Sequence, residues 1–83
     1  MDPKYWSKPV VYGGKALGGY RTVASTREAA RTLSQGWPVG RGRNWAKARQ
    51  ACAEVLDGRK PPSDARRAFI DAAYEADLTV RDG

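Results

Sequence analysis

Very few side chains in this sequence could do chemistry. It has no histidine, which removes the commonest general base and the commonest imidazole metal ligand together. The single cysteine, Cys52, excludes an internal disulfide, a cysteine–histidine pair and any zinc site built from several Cys and His. A lone thiol is reactive when its pKa is lowered, but Cys52 falls on the apolar stripe of a helix, where free cysteine behaves as a small buried hydrophobe. Asp71 and Glu75 stand one turn apart, as half of a cation site would. Paired-carboxylate catalysis needs groups converging from separate elements, whereas this spacing is that of a solvated helix face. Serine–lysine and paired-carboxylate arrangements stay formally open. The expectation is a protein that is not an enzyme and that uses no cofactor and no metal.

Two glycine-rich stretches invite a phosphate-binding reading. Gly13-Gly14-Lys15-Ala16-Leu17-Gly18-Gly19 has paired glycines, but no Gly-Lys-Ser/Thr follows and a strand rather than a helix comes next, so it is a hairpin loop with Lys15 at its tip. The connector Gly40-Arg41-Gly42-Arg43-Asn44 is the stronger candidate. Its small residues permit close backbone approach, and a helix starting there would point free N–H groups outward. Arg41 and Arg43 add bidentate charge, Trp45 a stacking surface and Lys47 a further cation one turn on, with Arg49 nearby. The expected site (Arg41, Arg43, Trp45, Lys47) would hold nucleic-acid phosphate, a nucleotide or an acidic protein segment. The structural alternative is a solvated loop beside a core tryptophan.

A second candidate surface is aromatic. Tyr5, Trp6 and Tyr12 exceed what a short hairpin needs for itself, and aromatic residues anchor interfaces. They are expected to contact a protein partner or a second copy, with the first strand as one route for pairing.

The elements carrying these residues follow from pattern. Lys8–Tyr12 and Tyr20–Val23 are short β-branched and aromatic runs forming a hairpin. Pro9 lacks a ladder donor, so the first strand is expected to begin there or to lie on an edge. In the second strand Tyr20, Thr22 and Ala24 share one face, opposite Arg21 and Val23. Ser25-Thr26-Arg27-Glu28 is a capping box opening a helix that ends at Gly36, and Pro38 disfavours helix at Trp37. Asn44 is the expected N-cap of a second helix whose apolar stripe is Trp45, Ala48, Cys52, Val55 and Leu56. Gly58 ends it. After Pro61-Pro62, Ser63 is the expected cap of a third helix carrying Ala65, Phe69, Ala72, Ala73 and Ala76 on one side. Leu78-Thr79-Val80 forms a last short strand. The fold class is α+β in the order ββαααβ, a small antiparallel sheet packed against three helices.

Length and composition agree. A chain of 83 residues, 41% hydrophobic and 29% charged, is one small domain, 1–83, with an ordered core over about 8–80. No stretch of eighteen apolar residues is present, and the polar start Met1–Trp6 lacks the apolar run of a secretory signal. The lone cysteine fits a reducing compartment, so the expected location is cytoplasmic with no membrane partner. The net charge of +6 falls within residues 1–57, which favours anionic partners without defining one.

The motif order resembles a small bacterial family, domain of unknown function 982. The matching features are the hairpin leading into Ser25, Trp37-Pro38, Ala48 and Cys52 on the next helix, Gly58, and the run Ala65-Arg66-Arg67-Ala68-Phe69-Ile70-Asp71-Ala72-Ala73. The resemblance spans about Pro9 to Val80. It implies a compact α+β domain and carries no catalytic residues. The expected role is a protein–protein interaction or homodimeric module, the alternative a basic accessory protein binding nucleic acid or another polyanion through the connector. Helix-turn-helix geometry is excluded by the long interhelical connectors.

Overall fold

Ser25 opens the first helix as its capping box implies. Its hydroxyl accepts from the Glu28 N–H at 3.1 Å, and Glu28 Oε1 returns to the Ala24 N–H at 2.9 Å, satisfying donors that a helix start leaves free. The computed structural model describes residues 4–37 and 41–82. The polar Met1-Asp2-Pro3 start, and Pro38, Val39 and Gly40 of the expected helix stop and connector, lie outside the described residues.

The order is β1 (Tyr5–Gly14), a single 3-10 turn, β2 (Gly19–Ser25), α1 (Thr26–Gln35), α2 (Arg43–Leu56), α3 (Pro62–Glu75) and β3 (Thr79–Asp82). The three strands are antiparallel in the order β2-β1-β3, so the chain is α+β with the ββαααβ succession. β1 begins at Tyr5 and occupies the centre of the sheet, which corrects the expectation that it starts at Pro9 or forms an edge. Pro9 is tolerated because the β1–β2 register is irregular between Tyr5 and Val10, and a bulge leaves a residue unpaired. The start of β1 is tied to α1 through Thr26. Its hydroxyl accepts from Trp6 Nε1 at 3.0 Å and donates to the Lys4 carbonyl at 3.1 Å, and its N–H donates to the same carbonyl.

The inner sheet face contributes Val10, Tyr12 and Val23. The helices close over it with Ala29 and Leu33 from α1, Ala48, Cys52 and Val55 from α2, and Ala65, Phe69, Ala72 and Ala73 from α3. The alanines let α3 approach closely, while Phe69 fills the centre. Its ring lies 5.2 Å from Tyr12, 5.6 Å from Trp37 and 5.9 Å from Trp6. Such pairs are worth about 0.5–1.5 kcal/mol each beyond area burial. Trp37 Nε1 is buried with no partner among the described residues.

Two expected caps are different. α2 starts at Arg43 with Gly42 in the cap position, and α3 starts at Pro62 after Pro61. Proline suits the first helical turn because its missing N–H is one that would be unpaired there, so Ser63 lies inside the helix and does not cap it.

Candidate functional site

The N–H groups at the start of α2 are occupied. The Glu75 carboxylate, from the end of α3, accepts from Asn44 N at 3.0 Å and Trp45 N at 3.1 Å. A carboxylate from another helix thus does what a local Ser or Asp would do, and it complements the positive end of the dipole. Gly42 makes room: a Cβ there would stand 2.9 Å from Cδ and both oxygens of Glu75. Glu75 was expected on a solvated face, and Asn44 as the cap. Glu75 is exposed as expected, but Asn44 does not cap, because α3 carries its acidic end to the start of α2.

Trp45 is half-buried, and its Nε1 donates to the Leu33 carbonyl at 2.9 Å, satisfying a last-turn carbonyl of α1. Arg41 and Arg49 lie 5.2 and 5.1 Å from its ring centroid, within cation–π range. The structure therefore brings both Arg41 and Arg49 to Trp45. Arg43 is exposed. Lys47 turns into a groove between α2 and α3 shared with Glu54, Lys60, Asp64 and Arg67. The four expected residues do not line one pocket, and the backbone donors that would have bound an anion hold Glu75.

The aromatic trio separates more sharply. Trp6 and Tyr12 are 7% and 2% exposed and belong to the core, so they offer no surface to a partner. β1 alternates across a central strand, and Tyr12 points to the helices along with Val10. Tyr5 alone of the three is open, at 72% exposure. Over Val10–Gly13 pairing through the first strand is also closed off, since β1 has β2 on one side and β3 on the other.

The surface that sequence reasoning passed over is the outer face of the sheet. The register puts Val11 between Thr22 and Arg81, and Gly13 between Tyr20 and Thr79, on the side away from Val10, Tyr12 and Val23. Of these six residues only Arg81 is charged, and its guanidinium stacks on the Tyr20 ring at 4.6 Å. Gly13 is required beneath them: its φ is 151°, and a Cβ would collide with the Gly19 carbonyl oxygen. The alternation of Tyr20, Thr22 and Ala24 was the available signal for this face. What the sequence did not indicate is that no helix covers it.

Cys52 is buried, and loss of solvent pushes its thiol pKa up to about 11. It is a neutral thiol at physiological pH, opposite to what a nucleophile needs. Among the described residues no three carboxylate or cysteine side chains are grouped to hold a metal ion, and no helix is long and apolar enough to cross a membrane.

No curated protein and no solved structure matches the chain. A family model described as protein of unknown function, DUF982, matches residues 8–80, nearly the span over which the motif order carries the resemblance. With its three helices and most of its hairpin inside that match, this chain belongs to the DUF982 family.

Proposed function

We propose that this protein is a non-enzymatic interaction module that self-associates through the outer face of its sheet. The carrying observation is that face's composition: Val11, Gly13, Tyr20, Thr22, Thr79 and Arg81, one charge among six residues, in a chain that is 29% charged. β-Branched and aromatic residues on an uncovered pleated surface pack well against a like surface, and Tyr and Arg are favoured anchors. A second copy is the favoured occupant because the face adds only one cation per copy, which limits repulsion between two chains of net charge +6. Three short strands offer on the order of 300 Å² per copy, below the roughly 800 Å² per partner of a stable interface. The association is therefore weak, with a dissociation constant of roughly 10 µM or above. The buried free thiol of Cys52 is in keeping with a reducing, cytoplasmic setting.

Sedimentation velocity across a wide concentration range tests this. The mass-average should climb toward a dimer, and Val11→Lys should hold the protein monomeric. A monomer at every concentration contradicts the reading.

The polyanion alternative keeps one favourable observation, the pair of guanidiniums over Trp45. It ranks second because Glu75 fills the helix start beside them. Oligonucleotide binding that weakens steeply with salt and disappears in Arg41→Ala/Arg49→Ala would promote it.

A further inference from the structure

Where β1 begins against α1, Tyr5, Ser25, Arg27, Glu28 and Arg31 line a cleft of about 270 Å³. Arg27 and Arg31 are one turn apart and both are exposed. Like charges at this spacing weaken a helix, and Arg27 stands in the first turn, where the dipole disfavours cations. Neither arginine makes an ion pair among the described residues. The cleft's one carboxylate, Glu28, is engaged elsewhere: its Oε1 accepts from the Ala24 N–H at 2.9 Å and the Ser25 hydroxyl at 3.4 Å. Two guanidiniums thus share a concave surface with one carboxylate that pairs with neither, a net charge of +1, beside a tyrosine that is 72% exposed.

We propose that this cleft grips a carboxylate side chain of an acidic protein segment. Arg27 and Arg31 take the carboxylate through charge-assisted hydrogen bonds, and the Tyr5 ring packs against the neighbouring side chain of the segment. At about 270 Å³ the cleft sits at the lower end of the roughly 300–1,000 Å³ of small-molecule sites and has room for a carboxylate side chain with its neighbour. A nucleic-acid backbone repeats its charge and calls for a track of cations. Here the cations lining the cleft are Arg27 and Arg31 alone, with Glu28 beside them, a charge pattern that suits one carboxylate better than a run of phosphates. This site is separate from the face proposed for self-association and does not depend on it.

The test is an amide, guanidinium and aromatic NMR titration of the full chain, repeated with Val11→Asn, which opposes self-association without adding a charge. The probes are a blocked hexapeptide of alternating glutamate and valine, the same peptide with lysine for glutamate, and a thymidine hexanucleotide. The glutamate peptide should shift the Tyr5 ring and the Arg27 and Arg31 Nε–H signals saturably, and the lysine peptide should not. Arg27→Glu/Arg31→Glu should weaken the glutamate peptide at least tenfold and admit the lysine peptide. Arg27→Ala/Arg31→Ala should leave the Tm unchanged or raised, since the pair opposes its own helix, and this separates lost binding from lost folding. Equal binding of the two peptides, binding that survives charge reversal, or tighter binding of the hexanucleotide at the same signals would each overturn the proposal.

Discussion

The Glu75 carboxylate at the end of α3 caps the start of α2 at a point where Gly42 leaves it room: any side chain at Gly42 would meet the carboxylate at 2.9 Å. Gly42→Ala should push Glu75 off the Asn44 and Trp45 N–H groups, and Glu75→Ala should remove the cap outright. Each is expected to cost about 1 kcal/mol in urea unfolding. The double variant should cost clearly less than the two combined, because both remove the same two hydrogen bonds.

Trp45 links the end of α1 to the start of α2 through its hydrogen bond to Leu33. Trp45→Phe keeps the ring and loses the donor, so it should destabilise by about 0.5–1.5 kcal/mol. Trp45→Ala should cost more, by also stripping the surface on which Arg41 and Arg49 rest.

Cys52 should resist alkylation. With its pKa near 11, about one thiol in a thousand is ionised at pH 8, and the buried side chain reacts only when the fold opens. The folded value lies above the ordinary 9.0, so the thiol's contribution to stability is full below about pH 9. It is lost as the pH rises toward 11, where the unfolded chain ionises first. Cys52→Ser should cost about 1–3 kcal/mol by burying a hydroxyl without a partner. Rapid labelling of the native protein at pH 7 would contradict this placement.

Gly13→Ala should be far more damaging than a surface glycine change. Its φ of 151° and the collision of any Cβ with the Gly19 carbonyl leave no local adjustment, because the obstacle is backbone. A loss of more than about 2 kcal/mol, or failure to fold, is expected in thermal unfolding.

Much of this architecture is legible in the sequence because local signals agree with one another. The Ser25–Glu28 capping box and the alanine-lined side of Phe69 are found as expected. Of the Trp45, Ala48, Cys52, Val55 and Leu56 stripe the middle three are buried, Trp45 is half-buried and Leu56 is exposed. What is not legible depends on contacts distant in sequence. Glu75 caps a helix 30 residues away, which no local pattern encodes, so Asn44 was the natural choice. Pro9 argues against a central strand unless a register break is known to absorb it. Trp6 and Tyr12 look like surplus aromatic surface until Phe69 and Trp37 are brought against them. Tyr20 and Arg81 lie on opposite edges of the sheet and meet only because Gly13 is flat between them.

The most direct test of the central claim is an intermolecular NOE experiment on a mixture of isotopically labelled and unlabelled copies at millimolar concentration. Contacts between the Val11 and Thr22 methyls of one copy and the Tyr20 ring of another are the predicted result. An absence of intermolecular contacts, or contacts confined to the helices, would contradict the account.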